Sequence, residues 1–478
     1  MEYMIKPCAA FLSIMASLFM SGCGGVGSAR TSPIPTIHNE WTWMGGASVV
    51  NQKGTYGTQG TGASSDAPGA RSYACSWTDS SGDLWLFGGY GYDSTGASGD
   101  LNDLWKYSGG KWTWVSGSNL IEQAGMYGIK GTAVPNNVPG ARYQAVSWTD
   151  PSGNLWLFGG LGIDSNGTRG DLNDLWKYSG GQWTWMSGSN TSADRRPGVY
   201  GTLGTADSGN IPGQRVDATS WMDASGNLWL FGGSGNDSNG NVGILNDLWK
   251  YSNGQWTWMS GSKTVNQLGT YGIQGTAAPG NTPGARTNAS SWTDAEGNLW
   301  LFGGAGNDST GVLCKSGAGS LCNLNDLWKY AGGQWTWMEG SNLVDQHGTY
   351  GTQGTAASGN VPGARWGAVS WADAAGNLWL FGGFGFDSTT GSYTVYGDLN
   401  DLWKYGGGQW TWMSGSNLAA QPGTYGTQGM VAVSNVPGAR NSAVSWTDAG
   451  GNLWLFSGDD SLSIANGGKV NDLWKYQP

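Results

Sequence analysis

Six arginines stand at equivalent places in the chain and are the first candidates for binding chemistry. Each ends a Pro-Gly-Ala-Arg or Pro-Gly-Gln-Arg motif, and they are Arg71, Arg142, Arg215, Arg286, Arg365 and Arg440. A guanidinium presents paired N–H donors that suit carboxylate or polyol oxygens. Six such groups around a common opening form a cationic ring for a ligand. Alternatively, each arginine pairs with a nearby Asp as a repeated structural clasp, and the sequence leaves both interpretations open.

Aromatic residues form a second group of candidates because they interrupt an otherwise regular pattern. Trp366 directly follows one of the arginines, and the region after it is rich in aromatic residues, namely Phe384, Phe386, Tyr393 and Tyr396. In the loop before them, Cys314 and Cys322 are expected to form a disulfide bond in an exported protein. A pinned loop beside an aromatic loop predicts one wall of a ligand site. The alternative is that both are surface loops that have diverged without function.

The residue types do not suggest a metal site or a catalytic triad. The chain has two histidines, His38 and His347, and no Gly-x-Ser-x-Gly motif. A histidine-rich metal site and a Ser-His-Asp triad are therefore not expected, and we predict neither a metal nor a cofactor. Cys75 occupies a place that Val holds in other copies of the pattern, so we expect it to be a small core residue.

The charge balance bears on the class of partner. Lys and Arg number 23 against 33 Asp and Glu, which gives a net charge of −10. Proteins that bind the phosphate backbone need a basic surface. Nucleic acid is therefore not an expected partner.

The elements that must position these residues belong to a repeat. Trp-Thr-Trp motifs begin at Trp41, Trp112, Trp183, Trp256, Trp335 and Trp410. With small variations, each is followed by the arginine motif, a Ser-Trp run, Asn-Leu-Trp-Leu-Phe-Gly-Gly and Leu-Asn-Asp-Leu-Trp-Lys-Tyr. Repeats of short apolar runs separated by glycines are typical of propellers and arrays.

Four short strands are predicted in each copy, because the apolar runs alternate with a period of two. Short connections that contain Gly predict hairpins between them. Each copy then forms a four-stranded antiparallel sheet, whose Trp side chains need cover from neighbouring sheets. The predicted fold class is all-β, a six-bladed propeller over residues 41–478, in which ring closure removes the uncovered ends.

The repeat resembles the kelch repeat of the galactose-oxidase-like central domain superfamily. The Gly pairs after the apolar strand resemble the kelch di-glycine, and they are Gly88-Gly89, Gly159-Gly160, Gly232-Gly233, Gly303-Gly304 and Gly382-Gly383. A spaced Tyr and Trp, as in Tyr107 and Trp112, matches the aromatic pair of the family. The resemblance implies a kelch-type propeller. It does not extend to the copper site of galactose oxidase, which needs two His, so a copper oxidase is not expected.

The two ends of the chain bear on closure. The repeat region begins with a Trp-Thr-Trp strand and ends with a Leu-Trp-Lys-Tyr strand, so the last sheet lacks an outer strand. We predict that Trp41 to Met44 pairs with the last sheet, Arg440 to Tyr476, and closes the ring. The same strand order places two long connections of each copy on one face, and long loops are often functional. That face is the predicted binding surface.

The first residues predict export. Lys6 precedes an apolar run that is too short for a membrane span, so residues 1–22 are interpreted as a signal peptide. Met20-Ser21-Gly22-Cys23 resembles the bacterial lipobox, which implies lipidation of Cys23 and a place in the cell envelope. By resemblance to Gram-negative lipoproteins, that place is the outer membrane. Residues 23–40 are the predicted flexible tether, and plain secretion is the alternative.

These observations together predict a non-enzymatic binding protein. We expect a lipid-anchored monomer that contacts the membrane only through its lipid and binds a glycan or a protein through its long-loop face. The alternative is a carbohydrate-active kelch enzyme resembling the periplasmic sialic-acid mutarotases, since anomerisation needs only positioned acid–base groups. The similarity of the copies argues against an enzyme, because catalysis requires an asymmetric cluster.

Overall fold

Every regular element in the described part of the chain is a β-strand. The computed structural model describes residues 39–192, 196–311, 322–390, 396–460 and 467–478. The predicted signal peptide, most of the predicted tether with Cys23, and the residues Cys314 and Tyr393 lie outside these ranges. Within them, no helix is long and apolar enough to cross a membrane.

Each sequence repeat forms an antiparallel sheet of inner, second, third and outer strands, the arrangement of propeller blades. The sheets are numbered 1 to 6 after the arginines at their start, which are Arg71, Arg142, Arg215, Arg286, Arg365 and Arg440. All strand pairs in these sheets are antiparallel.

The outer strand of each sheet is the Trp-Thr-Trp segment. Its bounds in sheets 1 to 6 are Lys111–Ser116, Gln182–Ser187, Gln255–Ser260, Gln334–Glu339, Gln409–Ser414 and Glu40–Gly45. The first Trp of each motif is buried and the second is half-buried. Both lie on one side of the strand, as the period of two predicts.

The third strand carries the Leu-Trp-Lys-Tyr motif. Its bounds in sheets 1 to 4 are Ser98–Ser108, Arg169–Ser179, Val242–Ser252 and Cys322–Ala331. It is divided in the last two sheets, into Tyr396–Asp398 and Leu402–Gly406, and into Gly468–Lys469 and Leu473–Gln477. In sheets 1 to 4 its register against the second strand shifts at the Asn-Asp pair, which marks a β-bulge.

The second strand carries the apolar run and the Gly pair. Its bounds in sheets 1 to 4 are Leu84–Tyr92, Leu155–Ile163, Leu228–Asn236 and Leu299–Gly306. It is divided in the last two sheets, into Leu378–Phe381 and Phe384–Phe386, and into Leu453–Phe456 and Asp459–Asp460. The bulge of the third strand lies opposite this pair, where Gly88 and Gly89 have φ values of 62° and 98°. Glycine adopts these angles without steric cost.

The inner strand is broken, which the sequence did not predict. In sheets 1 to 5 it consists of Arg71–Ser72 and Cys75–Thr78, Arg142–Tyr143 and Val146–Thr149, Arg215–Val216 and Thr219–Met222, Arg286–Thr287 and Ser290–Thr293, and Arg365–Trp366 and Val369–Ala372. In sheet 6 it is Val444–Thr447. The break falls at one residue per sheet that has a left-handed backbone conformation.

Sheet 6 takes its outer strand from the beginning of the described chain. Trp41 pairs with Tyr476, and Trp43 pairs with Trp474 in antiparallel register. Asn435 adds a hydrogen bond from its Nδ2 to the carbonyl oxygen of Trp41, at 3.0 Å. The strand pairing that we predicted between the two ends is therefore present.

The core lies between sheets rather than within them. Between sheets 1 and 2, Trp77 and Phe87 pack with Leu155, Trp176 and Trp183. Equivalent clusters join each further pair of consecutive sheets, and another joins sheet 6 to sheet 1. Each aromatic side chain that is covered in this way buries roughly 150–250 Å², so most of the Trp residues stabilise contacts between sheets.

Candidate functional site

The six arginines are buried in bidentate ion pairs. In sheet 2, Arg142 Nη1 and Nη2 donate to the two carboxylate oxygens of Asp174 at 2.7 and 2.8 Å. Its Nε and Nη1 also donate to the carbonyl oxygens of Gly140 and Gly159, both at 3.0 Å. The equivalent pairs are Arg71 with Asp103, Arg215 with Asp247, Arg286 with Asp326, Arg365 with Asp401, and Arg440 with Asp472.

A tyrosine and a tryptophan complete each of these groups. Asp174 Oδ2 accepts hydrogen bonds from Tyr127 OH at 2.6 Å and from Trp176 Nε1 at 2.7 Å. Burial, together with the Asp174 charge, raises the pKa of Tyr127, so the phenol stays protonated and remains a donor. We call each set of Arg, Asp, Tyr and Trp a clasp.

The clasps correct the hypothesis of an arginine ring open to ligand. The guanidinium donors of the six arginines already meet carboxylate and carbonyl oxygens of the protein, and each of these side chains is at most 1% exposed. The alternative interpretation, a repeated structural clasp with Asp, describes their environment. The ligand site must therefore be sought among other side chains.

Six residues at the breaks of the inner strands form a cycle of backbone hydrogen bonds. They are Tyr73, Gln144, Asp217, Asn288, Gly367 and Ser442, with φ between 52° and 64°. The N–H of each donates to the carbonyl oxygen of its counterpart in the preceding sheet, at 2.8–3.1 Å. The sixth bond, from Tyr73 to Ser442, returns to the first residue. We call these residues the left-handed ring.

Half of the residues in the left-handed ring are poorly suited to this backbone conformation. Gly adopts it freely and Asn and Asp tolerate it, whereas other residues incur about 1–2 kcal/mol each. Tyr73, Gln144 and Ser442 nevertheless occupy three of the six positions. Strain of this kind is concentrated at functional sites. The six ring residues, together with the alanine that follows each of them in the sequence, line a cavity of about 160 Å³.

Eighteen further residues lie in the strands next to the ring positions, three from each sheet. They occupy directly opposed positions on the inner, second and third strands and so share one face of their sheet. In sheet order they are Ser72, Tyr90 and Asp100; Tyr143, Leu161 and Asp171; Val216, Ser234 and Ile244; Thr287, Ala305 and Asn323; Trp366, Phe384 and Asp398; Asn441, Asp459 and Lys469. We call these residues the rim, and the ring and rim together the mouth.

The six repeats differ at the mouth, as they also do in their long connections. No two rim triplets are alike, whereas the clasp residues beside them are the same in all six sheets. Because near-identical repeats build a symmetric frame, this variation gives the frame one asymmetric surface. An asymmetric cluster of polar and aromatic groups is what recognition of a small molecule requires.

Three tyrosines form an aromatic cluster on the side of sheets 1 and 2. The ring centroids of Tyr73 and Tyr143 are 6.1 Å apart, and those of Tyr90 and Tyr143 are 5.6 Å apart. Arg169 lies over the ring of Tyr143 at 5.6 Å, and Lys469 lies over Tyr90 at 5.1 Å. These rings therefore already accept cations on their faces.

A second aromatic cluster belongs to sheet 5 and contains predicted site residues. Trp366 and Phe384 are 5.4 Å apart, and Tyr396 lies 5.6 Å from Phe384 and 5.7 Å from Phe386. Trp366 and Phe384 are half-buried, and Tyr396 is 40% exposed. Phe386 is buried, so it supports the cluster from below. The structure thus brings together four of the five predicted aromatic residues, and Tyr393 lies outside the described residues.

Carboxylates dominate the charge of the mouth. Asp100 pairs with Arg169 at 2.9 Å, and Asp459 pairs with Lys469 at 3.2 Å. Asp398 is buried and accepts a hydrogen bond from Asn441 Nδ2 at 2.7 Å. Two more, Asp171 and Asp217, have no cation within ion-pair distance among the described residues.

Asp217 is the carboxylate of the left-handed ring. Its Oδ2 accepts a hydrogen bond from Gln144 Nε2 at 2.8 Å, whereas its buried Oδ1 has no hydrogen-bond partner. Burial raises the pKa of Asp217 to about 7, the neighbouring Asn288 side chain acts in the opposite direction, and the charge of Asp171 adds to the increase. A carboxyl group in this state exchanges a proton near neutral pH.

A larger cavity of about 610 Å³ lies elsewhere, between the outer strand of sheet 4 and the linker into sheet 5. Glu339 and His347 line it, and burial raises the pKa of Glu339 to about 7. It is a cleft between a strand and a linker, without the aromatic clusters of the mouth. Across the described ranges, no three His, Cys, Asp or Glu side chains are grouped as metal ligands. We therefore place the candidate site at the mouth.

The predicted disulfide is described at one end only. Cys322 is in a disulfide bond and begins the third strand of sheet 4, whereas Cys314 lies outside the described residues. The pairing of these two cysteines stays a prediction. Cys75 is a buried free thiol whose pKa burial raises to about 12, which leaves it unreactive near neutral pH.

Sequence reasoning missed most of the mouth. It identified Trp366 and Phe384, but not Tyr73, Tyr143 or Asp217. A signal was available, because the two residues after each arginine motif differ in every repeat. What the sequence did not reveal is that the backbone turns at the second of these residues, which brings that residue of all six sheets to one cavity.

Comparison with known proteins adds similarity of fold alone. No family model and no curated protein matches the chain. Among solved structures, YjhT is 15% identical over 85% of this chain and 95% of its own, with a TM-score of 0.46. A fungal alcohol oxidase of the AA5 family in complex with copper is 12% identical over 89% and 76%, with a TM-score of 0.43. The α-L-arabinanase of Penicillium chrysogenum complexed with arabinobiose is 11% identical over 84% and 93%, also at 0.43.

Proposed function

We propose that this chain is a closed six-bladed kelch-type propeller that binds a saccharide at the mouth without transforming it. The pairing of Trp41 with Tyr476 and the cyclic hydrogen bonds of the left-handed ring support the closed ring. A second cycle, of serine hydroxyls, supports it independently. Each hydroxyl donates to the backbone oxygen of the serine in the preceding sheet, through Ser76, Ser147, Ser220, Ser291, Ser370 and Ser445.

The observation that carries the binding function is the concentration of sequence differences at the mouth. The mouth combines the half-buried aromatic rings of Trp366 and Phe384 with carboxylate, amide and hydroxyl groups of the ring and rim. Apolar faces with a few oriented polar groups are the general composition of small-molecule sites. A polyol suits this surface because its C–H face packs on aromatic rings and its hydroxyl groups donate to carboxylates.

The test is binding of the full-length protein to a glycan array, followed by calorimetry on the best ligand. Trp366→Ala removes one aromatic face and is expected to weaken binding at least tenfold. The control is Ile273→Ala, since Ile273 is 75% exposed on a linker outside the mouth. Retention of full affinity by Trp366→Ala contradicts the proposed site. If a protein partner is found, and Ile273→Ala abolishes its binding while Trp366→Ala does not, the linkers rather than the mouth carry the interaction.

A second candidate function is a carbohydrate-active enzyme of the mutarotase type. The carboxyl group of Asp217 favours it, because a pKa near 7 suits a group that both donates and accepts a proton at neutral pH. Anomerisation of hexoses is followed by one-dimensional NMR with wild type and Asp217→Asn. Faster anomerisation that is lost in Asp217→Asn favours the enzyme, and an unchanged anomerisation rate favours binding alone.

We further propose that the protein is lipid-anchored through Cys23 in the cell envelope, on the outer membrane, and acts as a monomer. The lipobox-like motif and the Gly-rich and Ser-rich segment after it support this location. Metabolic labelling with a fatty acid tests it, and Cys23→Ala is expected to abolish the label. A labelled Cys23→Ala protein contradicts the anchor.

A further inference from the structure

The charge and the cavity of the mouth indicate the class of saccharide. This step rests on the saccharide-binding function proposed above. Of the five carboxylates in the mouth, Asp171 and Asp217 lack a cation partner among the described residues, and the two cations that pair with Asp100 and Asp459, Arg169 and Lys469, are already engaged. A bound anion therefore meets repulsion from these carboxylates, whereas a bound cation is attracted and favours the ionised form of Asp217, whose pKa lies near 7.

Asp217 supplies the specific point of attachment. Its Oδ1 is buried, lacks a hydrogen-bond partner and belongs to a residue that lines the cavity. A buried acceptor without a donor costs about 1–3 kcal/mol, and a charged donor satisfies it best. The cavity of about 160 Å³ is smaller than a typical small-molecule site. It has room for a small group, with the remainder of a ligand lying over the rim.

The aromatic residues beside Asp217 are suited to the same ligand. Tyr73 neighbours Asp217 closely enough for the Asp217 charge to contribute to the raised pKa of the phenol, after burial itself. Arg169 and Lys469 already cover Tyr143 and Tyr90, so Tyr73, which lines the cavity beside Asp217, is the ring of this cluster that faces the ligand. A cation between an aromatic face and a carboxylate gains from both, by about 0.5–2 kcal/mol from the ring alone.

We infer that the mouth binds an amine-bearing saccharide, with the ammonium group seated between Asp217 and the tyrosine cluster and the sugar ring against Trp366 and Phe384. The amino group donates to Asp217 Oδ1 and so completes the hydrogen bonding of that carboxylate. Acetylation of the amine removes its positive charge and therefore its ion pair with Asp217. A carboxylated sugar is excluded by Asp171 and Asp217.

Four hexoses that differ in one substituent test this inference: D-glucosamine, N-acetyl-D-glucosamine, D-glucose and D-glucuronate. Each is titrated into the full-length protein at pH 7 and followed by NMR or calorimetry. We expect D-glucosamine to bind at least tenfold more tightly than the other three. Asp217→Asn is expected to remove this preference, so that the variant binds D-glucosamine no more tightly than D-glucose.

Glu296→Gln is the matched control, because it removes one negative charge from an exposed hairpin outside the mouth. It is expected to keep the preference for D-glucosamine. Melting curves of both variants report whether they fold, so a loss of preference in a folded Asp217→Asn supports the inference.

The possible failures are distinguishable. D-glucose binding that depends on Trp366, without any preference for the amine, overturns the amine and leaves saccharide binding intact. Tighter binding of D-glucuronate, or a preference for D-glucosamine that survives in Asp217→Asn, also overturns it. Binding of none of the four sugars, together with a negative glycan array, overturns both this inference and the proposed function.

Discussion

Arg142 and Asp174 are both fully buried and are joined by two parallel hydrogen bonds of 2.7 and 2.8 Å. The carboxylate also accepts from Tyr127 and Trp176. One acceptor thus organises three other side chains, from the inner strand, the third strand and the linker. Because the clasp occurs in all six sheets, a large share of the few charged residues of this chain is buried in ion pairs.

Removal of one clasp member is expected to destabilise the protein strongly. Arg142→Met leaves Asp174 buried without its counter-charge, and such changes cost about 3–5 kcal/mol. Urea unfolding measures the loss of free energy. The double variant Arg142→Met with Asp174→Leu is expected to regain only part of it, because Tyr127 and Trp176 then lose their acceptor. Full recovery in the double variant indicates that the tyrosine and tryptophan bonds contribute little.

The pairing of Trp41 with Tyr476 predicts that the first strand stabilises the whole repeat region. A chain that begins at residue 46 lacks the outer strand of sheet 6 and exposes the apolar face that Trp41 covers. We expect its melting temperature to be well below that of a chain that begins at residue 37. The comparison isolates the strand, because both chains lack the preceding segment. Equal melting temperatures contradict a closed ring that depends on this strand.

The sequence predicted the elements that depend on local pattern. Strand number, hairpins and the joining of the ends follow from the period of two, from Gly-containing turns and from the unpaired Trp-Thr-Trp strand. It left open whether Arg71 and its counterparts bind a ligand or pair with an Asp, because a continuous inner strand allows the side chain to point either way. The deciding feature is the left-handed residue after each arginine motif, and Tyr73, Gln144 and Ser442 are not residues whose type reveals that conformation.

The strain of the left-handed ring is measurable at its one glycine. Gly367→Ala places a side chain at a φ of 64°, and the nearest atoms are 3.2 and 3.4 Å from the new Cβ. We expect a loss of about 1–2 kcal/mol in the free energy of unfolding. Gly359→Ala, in a turn of the same repeat with nothing within 4 Å of its Cβ, is the control. It is expected to be neutral or to stabilise by about 0.4–1 kcal/mol, and equal effects at the two sites contradict the strain.

Asp217 predicts a dependence of stability on pH with a definite sign. Burial raises the pKa of its carboxyl group from 3.8 to about 7 in the folded protein. Between these values the folded state holds a proton that the unfolded state has released, so stability falls as pH rises from about 4 to 7 and is constant above. Asp217→Asn removes this dependence. At about 1.36 kcal/mol for each unit of pKa, the variant gains up to about 4 kcal/mol over wild type above pH 7.

The measurement is the free energy of unfolding of wild type and Asp217→Asn at a series of pH values from 4 to 8. The difference between the two proteins is expected to grow with pH and to level off near 7, whereas Glu296→Gln follows wild type throughout. A more stable variant that has lost its preference for an amine-bearing ligand shows that the chain keeps Asp217 for binding at the expense of stability. A difference that does not vary with pH contradicts the raised pKa and leaves Asp217 ionised across this range.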